Sequence, residues 1–272
     1  MNAAAAPRPS TRIEKYGNVA PSMSPLAITL LIICFFLFVL LWRKLLRACE
    51  AANGADWGRS WLNRLDGLNR ILCRRFHRLN HDALNLPVTG GVLVASNHVS
   101  GLDPLLLLAA SPRPLRFLIA REQYDRWWLK WLLRAVGCIP VERTRNPRAA
   151  LYAAREALER GEVVALFPHG RIHLDHHPPT PLKRGIVLLA RMTGAPILPV
   201  RVEGVRGQGR TVAAVFIPSR ARVQGFAPLR CDGQSVEDCL EKLWDILAAP
   251  QARTGHENPH RTRHPRRRQE PD

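Results

Sequence analysis

The chain is short of acidic residues: 22 Asp and Glu stand against 40 Lys and Arg, a formal net charge of +18 over 272 residues. That imbalance favours an anionic partner, which leaves nucleic acid, an anionic membrane surface, or a phosphorylated or CoA-bearing substrate. No recognition-helix, Gly-Phe-Gly or zinc-finger signature accompanies the charge, so nucleic acid is set aside in favour of anionic lipid. The six cysteines, at 34, 49, 73, 138, 231 and 239, contain no Cys-x-x-Cys and no regular framework. They are expected to be reduced and hence on the cytosolic side of any membrane. A Gly-x-Ser-x-Gly elbow and an activated cysteine are both missing, so no covalent nucleophile is evident.

What the chain does contain begins with a long uncharged run. Residues 1–24 are rich in Ala, Pro and Ser and are expected to be disordered, whereas Pro25 to Trp42 carries no charge over eighteen residues. That run, extended to residue 47 by the basic cluster Arg43, Lys44 and Arg47, is expected to be a transmembrane or membrane-embedded helix. Residues 48–85 form an amphipathic helical linker, in which Trp61, Leu65, Leu68, Leu72 and Phe76 recur at three to four residues. This stripe either packs on the following domain or lies in the membrane interface. The same two readings apply to Asp125–Val136, a predicted helix with Trp127, Trp128 and Trp131: core packing or a wedge in the headgroup region. Residues 250–272 are rich in Pro, Arg and His without apolar periodicity, and are expected to be a disordered basic tail.

Between these extensions, residues 86–249 alternate short apolar runs with helical patterns. Val92–Ala95, Arg116–Ala120, Cys138–Val141, Val163–Phe167 and the run ending at Val200 are expected strands, with weaker candidates at Val212–Ile217 and Arg222–Phe226. The alternation implies an α/β fold: a mostly parallel central sheet flanked by helices, preceded by a transmembrane helix and an amphipathic segment. Ser96, Asn97 and His98 then emerge at a strand's carboxyl end, where such sheets place their chemistry. Asp103 follows His98 by five residues at the start of an apolar helix. A carboxylate on the far ring nitrogen of a histidine is what a general base needs. A second His-x4-Asp pair, His77 and Asp82, lacks the strand and helix on either side and is treated as a decoy.

Further polar strand ends converge on the same sheet edge: Arg143, His169, Gly170 and Arg171, with Lys183-Arg184-Gly185 opening a later helix. In this pattern the sequence resembles the glycerolipid acyltransferases typified by 1-acyl-sn-glycerol-3-phosphate acyltransferase. Asn97, His98 and Asp103 match the first motif, Gly137 to Arg143 the second, Phe167-Pro168-x-Gly170 the third and Pro196 to Val200 the fourth. The resemblance implies acyl transfer from an acyl-CoA or acyl-carrier-protein thioester to the free hydroxyl of a lysophospholipid, with 1-acyl-sn-glycerol 3-phosphate the expected acceptor and phosphatidic acid the product, and with His98 and Asp103 catalytic. Asn97, Arg143, Gly170, Arg171 and Lys183 would bind substrate. It implies neither cofactor nor metal. The third motif departs from the usual Phe-Pro-Glu-Gly-Thr-Arg: His169 stands at the Glu position, and Arg171 directly follows the glycine. Another lysolipid or glycerol 3-phosphate is therefore an alternative acceptor. A metal-dependent hydrolase built on His169, His173, Asp175, His176 and His177 is a second alternative. The expected location is the membrane, with the catalytic domain on the cytoplasmic side.

Overall fold

The computed structural model describes residues 24–82, 84–142 and 147–248. The expected disordered ends and Arg143 lie outside the described residues. Two compact units divide the chain, one ending at Leu45 and one starting at Leu46.

Helix α1 (Pro25–Ala52) is 28 residues long, of mean hydropathy 2.8 over its most apolar window, and by length and composition is able to cross a membrane. It runs past the expected boundary at residue 47 because nothing in Lys44–Ala52 breaks a helix.

Residues 46–248 are organised around a seven-stranded sheet of order β1-β7-β6-β2-β5-β3-β4. Its strands are β1 (Asn80–His81), β2 (Val92–Ser96), β3 (Leu115–Ala120), β4 (Ile139–Val141), β5 (Val163–Leu166), β6 (Ile197–Glu203) and β7 (Arg222–Gly225). All neighbours are parallel except β6 and β7. Strand β2 lies at the centre and is buried on both faces, as its unbroken apolar run requires. Val92 and Val94 point into one core with helix α3 (Asp103–Ala110). Leu93 and Ala95 point into the other, shared with α6 (Pro147–Glu159), α7 (Gly185–Thr193) and α8 (Val236–Leu247). The short helices α4 (Arg121–Tyr124) and α5 (Lys130–Ala135) fill the connection from β3 to β4.

Several expectations need correction. Residues 48–85 are part of the compact unit rather than a linker. Helix α2 (Ser60–Arg75) turns inward a mixed face, in which Asp66 and Arg70 are buried beside Leu62 and Cys73, while Trp61, Leu65 and Leu68, and Phe76 just beyond the helix, stay more than a third exposed. The reason is a capping demand. Arg70 donates to the carbonyls of Leu108, Ala109 and Ser111 at the end of α3, where helical N–H partners run out. Asp66 neutralises it at 2.6 Å. Close packing completes the contact, since a Cβ on Gly67 would overlap the Cys49 carbonyl. The expected strand at Val212–Ile217 is a 3-10 turn, Val212–Phe216, because β7 already occupies the edge of β6 that it would pair with. The Trp-rich helix is shorter than expected, with Asp125 held at the bend by Arg121 and Lys130. Trp127, Trp128 and Trp131 are exposed, which rules out core packing. Finally, Cys231 and Cys239, both buried, are joined across the turn that leads into α8, so the expectation of six reduced cysteines fails at this pair. Eight residues of separation give no hint of it; the pairing depends on the turn folding the first helical residues back.

Candidate active site

Strand β2 ends at Ser96, and the chain then turns sharply to enter α3. His98 Nδ1 lies 2.8 Å from Asp103 Oδ2. The same oxygen accepts the Val99 and Ser100 backbone N–H groups at 2.7 and 2.8 Å, and Oδ1 accepts the Ser100 hydroxyl at 2.8 Å. Four donors thus converge on one buried carboxylate at a helix N-terminus, where a negative group is also favoured by the helix dipole. Ser100 is a strut of the turn, and its hydroxyl in turn accepts the Leu102 N–H at 3.1 Å.

The histidine is held on its face as well as its edge. Its ring stacks on Phe167 with centroids 3.9 Å apart, and Phe167 is backed by Phe117 at 6.0 Å. Phe167 comes from the end of β5, the neighbour of β2, so sheet register brings the third motif against the first. With Nδ1 committed to Asp103, Nε2 makes no hydrogen bond among the described residues, and the side chain is 17% exposed. This nitrogen is placed to take a proton from a hydroxyl arriving at the sheet edge.

Asn97, expected to touch substrate, is buried and structural. Its amide donates to the Val202 carbonyl at 2.9 Å and accepts the Val202 N–H at 2.7 Å. The side chain thereby continues the pairing of β2 and β6 where the strands part. Gly170 adopts φ +72° in the turn after β5, a conformation that costs glycine little. The Lys183 chain passes 3.8 Å from the position a Cβ would take there, and the Lys183 N–H donates to the Pro168 carbonyl at 2.9 Å. Arg171 and Lys183 are exposed beside this turn. His173 donates its backbone N–H to the His98 carbonyl at 2.7 Å, tying the His-rich loop to the catalytic turn. Its ring stacks on His169 at 4.6 Å. Burial, then the nearby His177 and Arg171, push the His173 imidazole below its ordinary value, against an opposing pull from Asp175. Among the described residues no three His, Cys, Asp or Glu side chains are grouped to hold a metal ion.

The decoy is resolved by burial. His77 is fully enclosed, with Nε2 3.1 Å from the Val215 carbonyl, and Asp82 is exposed, so that pair forms no site. Sequence reasoning missed the Phe167 stack and the backbone tie from His173. An aromatic residue at the carboxyl end of the neighbouring strand was the available signal for the first. Nor is a thiol nucleophile at hand. Desolvation pushes Cys73 up to about 12 and Cys138 up to about 11, the range of inert buried thiols.

A mostly parallel sheet with a carboxylate-oriented histidine at the end of its central strand, and arginine and lysine nearby in the loops beyond, is an arrangement chemically able to deprotonate a hydroxyl near an anionic group. The comparisons narrow the class. Residues 78–203 match the family model described as Acyltransferase. A 1-acyl-sn-glycerol-3-phosphate acyltransferase of Bacillus subtilis is 28% identical over 121 residues, 44% of this chain and 59% of that protein. A probable 1-acyl-sn-glycerol-3-phosphate acyltransferase of Mycoplasma pneumoniae is 30% identical over 123 residues, 43% of this chain and 46% of that protein. The matched stretch thus spans about half the length of these curated relatives. The crystal structure of the 1-acyl-sn-glycerophosphate acyltransferase PlsC from Thermotoga maritima shares the fold, with a TM-score of 0.57 at 21% identity over 82% of this chain and 89% of that one. Residues 78–203 thus carry the signature of the acyltransferase family, and over that stretch the chain is similar to 1-acyl-sn-glycerol-3-phosphate acyltransferases.

Proposed function

We propose that the protein transfers an acyl chain from an acyl-CoA or acyl-carrier-protein thioester to the free hydroxyl of 1-acyl-sn-glycerol 3-phosphate, giving phosphatidic acid. The observation that carries this reading is the His98–Asp103 pair, which leaves Nε2 without a hydrogen bond among the described residues on a partly exposed side chain. His98 Nε2 takes the hydroxyl proton as the oxygen attacks the thioester carbonyl. The tetrahedral intermediate then collapses, the C–S bond breaks, and the imidazolium returns the proton to the departing thiolate. Asp103 fixes the tautomer and stabilises the imidazolium between the two transfers. No covalent enzyme intermediate is needed, in keeping with the commitment of the Ser100 hydroxyl to Asp103. Arg171 and Lys183 supply the cationic ground for the acceptor phosphate, which lies close to the reacting hydroxyl; guanidinium suits it through its bidentate fork. Arg143 is assigned to the same group on the family resemblance.

The exposed stripe of α2 and the tryptophans just before and within α5 supply a membrane-facing surface on the catalytic unit itself. Trp61 and Trp131, from the two segments, lie with ring centroids 5.9 Å apart. Arg59, Arg64, Arg126 and Arg134 surround them in sequence, the composition of a surface that settles among anionic headgroups. We place the catalytic unit on the cytoplasmic side. With Cys231 and Cys239 paired, and with Arg8, Arg12 and Lys15 before the apolar run balancing Arg43, Lys44 and Arg47 after it, this rests on the basic catalytic domain. Protease protection in sealed membrane vesicles tests the sidedness.

The decisive experiment offers the purified enzyme one labelled acyl donor and a panel of acceptors: lysophosphatidic acid, glycerol 3-phosphate, zwitterionic lysophospholipids and a lyso-aminolipid. Lysophosphatidic acid is expected to be preferred, and Arg171→Ala to raise its KM while leaving the donor KM unchanged. Preference for an acceptor without phosphate refutes the assignment of Arg171 and directs attention to His169, where the family usually has a carboxylate.

A further inference from the structure

Beyond β6 the chain runs through Gly-Val-Arg-Gly-Gln-Gly-Arg-Thr, residues 204–211, and this stretch is fastened directly to the catalytic turn. The Gly209 N–H donates to the Val99 carbonyl at 2.8 Å, and the Gly101 N–H donates to the Arg210 carbonyl at 2.9 Å. The two bonds make a short ladder between the strap and the residues that immediately follow His98. There is no slack between them: a Cβ on Gly101 would fall 2.4 Å from the Thr211 carbonyl. The root of the strap is equally fixed, through the bonds of Asn97 to Val202 and that of the Arg206 N–H to Ser219 Oγ at 3.2 Å.

This rigid strap carries two exposed arginines, Arg206 and Arg210. Among the described residues neither guanidinium makes an ion pair. The nearest acid in sequence, Glu203, is already engaged by Arg201 at 2.7 Å. Two cations without an ion pair among the described residues, on a strap tied to the turn after His98, make a candidate anion-binding feature. The acceptor phosphate must sit close to the reacting hydroxyl, on the Gly170 and Arg171 side. The donor's phosphate is separated from its thioester by a pantetheine arm, and so belongs further out. We propose that the strap 204–211 is the docking element for the phosphopantetheine-borne donor, with Arg206 and Arg210 holding its phosphate groups while the thioester reaches His98. This rests on the acyl-transfer reading above.

The test uses the full-length protein and two measurements. The first is binding of a non-reactive hexadecyl-CoA thioether, which needs no turnover. The second is donor and acceptor KM, with palmitoyl-CoA and palmitoyl-acyl-carrier protein as separate donors. In an Arg206→Ala/Arg210→Ala variant, thioether binding is expected to weaken by at least about ten-fold, the scale of losing hydrogen bonds to a charged group. Donor KM should rise in parallel, and acceptor KM and thermal unfolding should stay unchanged. Lys at both positions should restore binding in part, and added salt should weaken wild type more than the Ala variant. Losses with both donors identify the phosphate they share, and losses with CoA alone identify its nucleotide phosphates. Unchanged thioether binding overturns the proposal, as does a rise confined to acceptor KM. A loss seen only with the carrier protein also overturns it, because the arginines would then meet the carrier's acidic surface. Thioether binding that depends on the strap in a protein that transfers to no acceptor would leave the strap standing and remove the proposed function instead.

Discussion

Asp103→Asn isolates the chemistry of the site from its architecture. In the wild type Oδ2 accepts three donors, from His98, Val99 and Ser100, and Oδ1 accepts only the Ser100 hydroxyl. An asparagine amide placed at Oδ2 would set a donor against three donors, so the side chain must keep its oxygen there and present its NH2 to Ser100. The Ser100 hydroxyl, which already accepts the Leu102 N–H, then loses its own acceptor. One buried hydroxyl left unsatisfied costs about 1–3 kcal/mol, against a domain stability of about 5–15 kcal/mol, so the variant is expected to fold. His98 also keeps its tautomer. What disappears is the negative charge that stabilises the imidazolium between the two proton transfers. The equivalent substitution in a serine-protease triad lowers kcat by about 10⁴ through the wrong histidine tautomer, a loss that is spared here. The missing charge alone is expected to cost on the order of 10² in rate, about 2.7 kcal/mol of barrier. Single-turnover transfer of a labelled acyl chain measures it, with thermal unfolding and near-ultraviolet circular dichroism as controls. A kcat within about ten-fold of wild type in a folded variant would refute the role given to Asp103.

His98→Ala should lower transfer by on the order of 10² to 10⁴ while retaining membrane attachment, and turnover near the wild-type rate would remove the mechanism. His77→Ala should leave the chemistry intact yet destabilise the protein by roughly 2–4 kcal/mol, because a fully enclosed ring is replaced by a cavity; chemical denaturation reads this directly. Burial holds the His77 imidazole below its ordinary value of 6.5. The unfolded chain therefore binds more protons, and stability is expected to fall as pH drops through about 6.5 and below. His77→Phe should flatten that dependence, and an unchanged slope would contradict the assignment. Deletion of residues 1–45, the first compact unit, should abolish strong anchoring but leave binding to anionic liposomes in a flotation assay. That residual binding should fall when Trp61, Trp127 and Trp131 are changed to Ala, and a truncation that binds no liposomes would sink the interfacial reading.

Much of this protein is decided locally and is legible in its sequence. A strand such as Val92–Ala95 that must be buried on both faces shows no alternation, and the polar residues directly after it have to emerge at the sheet edge. His98 and Asp103 are five residues apart across one turn, so their meeting follows from strand, turn and helix alone. Other features depend on groups far apart in the chain. Asn97 is adjacent to His98 and suits substrate binding by type, yet its amide is taken by Val202, 105 residues away. The amphipathic stripe of α2 shows which residues are apolar but not which face turns inward. That was settled by the carbonyls at the end of α3, which require a buried Arg70 and so leave Trp61 and Leu65 outside. The disulfide at Cys231, the ring stack on His98 and the strap over Gly101 are likewise contacts across the fold. Hydrophobic periodicity records how each segment divides between water and interior; it carries no record of which distant carbonyl, ring or thiol will be waiting there, because that is fixed only when the sheet order is.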